Sequence, residues 1–100
     1  MTYSKQQIVR DIEEYMRKNG GPASQWYIGI ATNARERLFQ DHNVQEKGDA
    51  WIFRQAESSQ AAREVEKDVV DRLGTDGGAG GGDASTDKVY AYKKKSHTTP

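Results

Sequence analysis

The chain has 100 residues and a mass of 11.2 kDa, room for one small domain. Fifteen basic side chains balance fifteen acidic ones, so net charge argues neither for nor against nucleic acid, and local patches must carry that question. The absence of cysteine excludes disulfides, thiolate zinc centres and cysteine nucleophiles. No apolar run has the length of a membrane span and no secretory leader is evident, so a soluble, cytoplasmic protein without membrane association is expected.

Residues 4–18 predict an amphipathic helix. Ser4 is its cap, Gln7 has capping-box spacing, and Ile8, Val9, Ile12, Tyr15 and Met16 recur at helical period. Asn19-Gly20-Gly21-Pro22 ends it. Residues 25–31 read as a strand, with Trp26, Ile28 and Ile30 on one face and Tyr27, Gly29 and Ala31 on the other. With the isoleucines turned to the core, Tyr27 is expected to face outward beside Gly29, where a ligand can approach closely. Residues 34–42 predict a short helix capped by Asn33 and anchored by Ala34 and Leu38, and 43–49 a polar loop.

Residues 50–56 are aromatic and branched enough for a second strand. Residues 59–73 predict a helix with the stripe Ala62, Val65, Val69, Val70 and Leu73, stopped by Gly74. Six glycines within 74–86 predict a flexible connector. Val89-Tyr90-Ala91-Tyr92 reads as a final strand, most simply a charge-protected edge, and the basic tail 93–97 as frayed. Leu, Ile, Val and Phe total only 15, so a small core leaning on aromatic residues is expected. The expected fold is α/β (α+β): a small, mainly antiparallel three-stranded sheet flanked by helices.

One carboxylate is oddly placed. Glu66 falls inside the apolar arc of Ala62, Val69, Val70 and Leu73, where an ionised group needs a partner. An arginine from a neighbouring element would satisfy it; so would a hard cation, since Mg²⁺ is held by one or two carboxylates plus water and phosphate. Arg37 flanks the apolar side of its helix and suits either an ion pair with Asp41 or recognition of phosphate. Arg35 can do the same from a different helix rotation. Tyr27 offers a hydroxyl for proton transfer, and His42, at its helix end, can share that transfer or simply complement the helix dipole. In the tail, lysines such as Lys93 interleave with Tyr90 and Tyr92, a pattern that suits phosphate contact and base stacking.

Tyr27-Ile28-Gly29, Arg37 ten residues on with Leu38 beside it, and Ala62 followed by Glu66 on a helix together resemble the GIY-YIG nuclease family over residues 25–73. The resemblance implies a metal-dependent endonuclease acting on nucleic acid, DNA before RNA. Tyr27 would help activate water, with His42 as auxiliary. Arg37 would stabilise the scissile phosphate, and Glu66 would hold Mg²⁺ or Mn²⁺. Gly29, Arg35, Tyr90, Tyr92 and Lys93 would touch the nucleic acid. Three features depart from the family pattern: the upstream Gly-Ile-Tyr strand is absent, His42 stands five residues past Arg37 rather than four, and the asparagine beyond the glutamate helix is not evident. Val89–Tyr92 is expected to replace the missing strand, with Tyr90 or Tyr92 as its tyrosine. The competing expectations are a catalytically inactive nucleic-acid-binding module and a structural or protein-interaction domain.

Overall fold

The computed structural model describes residues 1–77 and 84–100, and it is α+β. Helix α1 runs Lys5–Asn19. Ser4 Oγ accepts from the Gln7 N–H at 3.2 Å, but the Gln7 side chain donates to Asp11 at 2.7 Å rather than back to Ser4. Gly20, at φ +76°, ends the helix in a conformation open to glycine. Strand β1 is Trp26–Ala31. Helix α2 begins as one α-turn, Ala34–Glu36, with Asn33 accepting from the Glu36 N–H, and continues as a π-helical turn, Arg37–Asp41. Strand β2 is Trp51–Gln55 and helix α3 is Ser59–Leu73, capped by Ser58 and stopped by Gly74 at φ +83°. Strands β3, Asp76–Gly77, and β4, Lys88–Lys93, complete the order.

Among the described residues the sheet is four-stranded and mixed, in the order β2-β4-β1-β3, rather than the mainly antiparallel three-stranded sheet expected. β4 pairs antiparallel with both β1 and β2, while β3 adds a two-residue parallel edge, Tyr27 beside Asp76 and Ile28 beside Gly77. Two residues are too few for an alternation signal, so the sequence at β3 predicts only loop. The expectation of an edge position for the last strand is also overturned: β4 is central. Both of its faces are apolar, Val89 and Ala91 on one, Tyr90 and Tyr92 on the other, and all four are buried.

Each face of the sheet therefore has its own core. Ile8 and Ile12 of α1 and Ala62, Val65 and Val69 of α3 pack on Ile28, Ile30, Ile52, Val89 and Ala91. On the opposite face, Ala34 and Leu38 of α2 and Val44 cover Tyr27, Ala31, Tyr90 and Tyr92. Tyr27 is consequently buried, at 8% exposure, not turned outward. Trp26 is fully buried at the end of β1, its indole N–H donating to the Gly20 carbonyl and its ring edge-on to Tyr15.

The basic tail is not frayed. It turns back along the second face, with Lys94 N–H donating to Gln25 O at 2.7 Å and Thr99 N–H to His42 O at 2.8 Å. Of the glycine-rich connector, residues 78–83 lie outside the described residues. Among the described residues no helix is long and apolar enough to cross a membrane.

Candidate active site

The register of β1 against β4 sets opposite one another the residues that the site needs. Gly29 stands across from Tyr90 and Tyr27 across from Tyr92. A Cβ on Gly29 would lie 2.5 Å from the Tyr90 hydroxyl oxygen and 2.6 Å from its Cζ. The close approach that a strand glycine permits is thus made by the phenol of Tyr90, and the space that suggested a ligand is filled from within. Tyr90 and Tyr92 are buried to 1% and 0% exposure, so neither offers a ring for base stacking.

His42 is brought over these tyrosines by the π-turn, whose closing bond runs from His42 N–H to Arg37 O at 2.9 Å. Its ring is 4.7 Å from that of Tyr27, 5.4 Å from Tyr90 and 5.0 Å from Tyr92, centroid to centroid. Nε2 is 2.7 Å from the Tyr90 hydroxyl, and Nδ1 is 2.7 Å from the Thr99 carbonyl and 3.2 Å from the Tyr92 hydroxyl. A carbonyl only accepts, so Nδ1 carries the proton and Nε2 accepts from Tyr90. Burial holds His42 below the usual imidazole range, although its bond to Thr99 works the other way. The expected partnership of His42 with Tyr27 is a ring contact; the hydrogen bond goes to Tyr90.

Charge of both signs reaches this cluster. Burial pushes the Tyr27 hydroxyl up, and the charges of Glu66 and Asp76 add to it, against Arg37. Tyr90 is pushed up strongly by burial and by Tyr27, while the charge of Arg37 favours the phenolate. Arg37 also makes the i,i+4 ion pair with Asp41 at 3.3 Å, and both side chains are about half exposed, so that pair is worth only a few tenths of a kcal/mol. The charges of Arg37 and Glu66 thus reach both Tyr27 and Tyr90, although the four residues come from four different elements.

Glu66 is the unusual member. It is 8% exposed, and burial alone raises its carboxyl to about 7. Among the described residues it has no ion pair, with Arg37 or any other cation. A buried carboxylate without a cationic partner fits a single divalent ion that completes its shell with water and phosphate oxygens. Among the described residues no group of three acidic or histidine side chains forms a cage for a metal.

The charged residues expected to hold nucleic acid have partners within the molecule. Arg35 pairs with Glu46 at 2.6 Å and lies over the rings of Phe39 and Trp51. Lys93 donates to the carbonyl of Asn19 at the end of α1, a favourable site for a cation. Lys94 and Lys95 pair with Asp76 and Asp49. The contribution of Thr99 to the His42 network was invisible in the sequence, because it uses backbone atoms 57 positions away.

Among known proteins, no family model, no curated protein and no solved structure matches this chain.

Proposed function

We propose that this domain is a divalent-metal-dependent endonuclease of GIY-YIG-like organisation that hydrolyses phosphodiester bonds, with DNA the first substrate class to test. The observation that carries the reading is the neutral His42–Tyr90 hydrogen bond packed against the ring of Tyr27, with the charges of Arg37 and of the unpaired Glu66 carboxyl acting on both tyrosines.

Two features support this reading where the chain departs from the family pattern. β4 lies antiparallel beside β1 with Tyr90 opposite Gly29, which supports its standing in for the strand missing upstream of Tyr27. The one-residue offset of His42 coincides with a π-turn. Such a turn inserts one residue into an α-helix, so a residue five past Arg37 stands where the fourth would otherwise be.

In this reading Glu66 holds Mg²⁺ or Mn²⁺, which when bound polarises a phosphoryl oxygen and the leaving group. Arg37 neutralises charge developing on the phosphate. The attacking water gives its proton to the Tyr90 oxygen as Tyr90 passes its own to Nε2 of His42, so one proton leaves water and one arrives on imidazole. Tyr27, the least buried of the three tyrosines, lies against both partners of the relay and orders the water.

The test is incubation of the protein with supercoiled plasmid and with single-stranded DNA in Mg²⁺ or Mn²⁺. Metal-dependent nicking that is lost in Glu66→Ala is expected. No cleavage in either metal, or cleavage untouched by the substitution, removes the reading. Salt-sensitive DNA binding without turnover would instead indicate an inactive binding module.

A further inference from the structure

We propose that segment 94–99 is a strap that selects the tautomer of His42, with the Thr99 carbonyl as the selecting group and Asp49 as the latch. Its bearing on catalysis rests on the nuclease reading; its effect on the imidazole does not.

Among the described residues, three groups lie within hydrogen-bond distance of the His42 ring nitrogens. Tyr90 and Tyr92 present hydroxyls, 2.7 Å from Nε2 and 3.2 Å from Nδ1. A hydroxyl can donate or accept, so the two tyrosines alone satisfy either neutral tautomer: Tyr92 donates to Nδ1 while Nε2–H donates to Tyr90, or the reverse. Only the reverse arrangement leaves a lone pair for the Tyr90 proton. The third neighbour decides between them. The Thr99 carbonyl, 2.7 Å from Nδ1, can only accept, and it forces the proton onto that nitrogen. Thr99 N–H closes the pair by donating to the His42 carbonyl at 2.8 Å.

The strap is held where this contact needs it. Asp49 is the anchor, its side chain only 3% exposed, accepting from Gln45 N–H at 2.8 Å. His97 Nε2 lies 2.6 Å from one of its oxygens and Lys95 Nζ 3.2 Å from the other. These partners, with the Gln45 amide, keep the Asp49 carboxyl below its ordinary range despite burial. Asn43 adopts φ +59°, a left-handed conformation that asparagine tolerates, and its amide donates to His97 O at 2.9 Å. Between these anchors, Thr98 closes a tight turn on Lys95 through its N–H and its hydroxyl. Loop 43–49 and segment 94–99 thus clasp each other beside the histidine.

The selecting groups at Thr99 are backbone atoms, which makes the test specific. Long-range ¹H–¹⁵N NMR of the full chain reads the two His42 nitrogens directly. The full chain and Thr99→Ala, which keeps both backbone groups, should show Nδ1 protonated and Nε2 pyridine-like. Thr99→Pro, which removes the N–H, combined with His97→Ala, which opens the latch, should show a mixture of tautomers; His97→Ala alone gives the same reading if the double variant does not fold. Persistence of the single Nδ1–H form in a folded latch variant, or an Nε2–H form in the full chain, overturns the proposal. In the cleavage assay the double variant should lose at least about tenfold in rate with unchanged Mg²⁺ affinity. A tautomer shift in a protein that cuts no DNA would uphold the strap and remove the nuclease.

Discussion

The hydroxyl of Tyr90 lies 2.7 Å from Nε2 of His42, a bond between a central strand and the end of a π-turn, buried on both sides. Tyr90→Phe deletes the donor and leaves the buried Nε2 without this partner, at a cost of about 1–3 kcal/mol of stability. If Tyr90 relays the proton of the attacking water, nicking should also fall by about 100-fold or more, with Mg²⁺ affinity unchanged. Urea denaturation and single-turnover cleavage measure the two effects separately. Cleavage at the parent rate would take Tyr90 out of the reaction.

Gly29→Ala should act through the same phenol. Its methyl would sit 2.5 Å from the Tyr90 oxygen, and the ring cannot withdraw without breaking the bond to His42. A loss of about 1–3 kcal/mol is expected, with altered His42 ring resonances in NMR. An alanine accommodated with no loss of stability and no change at His42 would mean that the strand contact is looser than the geometry requires.

Glu66 gives a pH signature of known sign. Its carboxyl is raised from 4.5 to about 7 on folding. Between these values the folded state binds more protons than the unfolded chain, so this group's stabilising contribution is full below about 4.5 and is lost as pH rises through about 7. Glu66→Gln should therefore stabilise the metal-free protein at pH 8, on the order of 1–3 kcal/mol, and leave it unchanged near pH 4. Denaturation in chelator at the two pH values checks this. Equal effects at both would mean that the carboxyl meets no desolvation.

Cation binding must compete with that proton. Apparent Mg²⁺ or Mn²⁺ affinity should rise about tenfold per pH unit up to about 7 and then level off. Glu66→Gln should abolish it. Titration by NMR at pH 6 and pH 8 makes the comparison, and pH-independent affinity would place the cation elsewhere.

Much of the fold is legible along the chain because it is local. Ser4, Asn33 and Gly74 act where helix-end chemistry places them, and Ile28 and Ile30 point to the larger core as alternation requires. Where the structure departs from what the sequence predicts, one cause recurs. Tyr27, β4 and the basic tail are each expected at the surface, and each is covered by a segment distant in sequence: Tyr27 by His42 and Tyr92, β4 by its position between β1 and β2, and the tail by the turn around Asp49.

Helical periodicity was enough to single out Glu66 as a carboxylate among apolar neighbours, because a helix face is set by rotation per residue alone. Residue order could not determine which groups would gather around His42. Tyr27, Arg37, His42, Tyr90 and Thr99 come from segments spread over more than seventy positions, and sheet register and chain return decide their meeting. Those depend on which surfaces exclude water together, a property of the whole packed molecule.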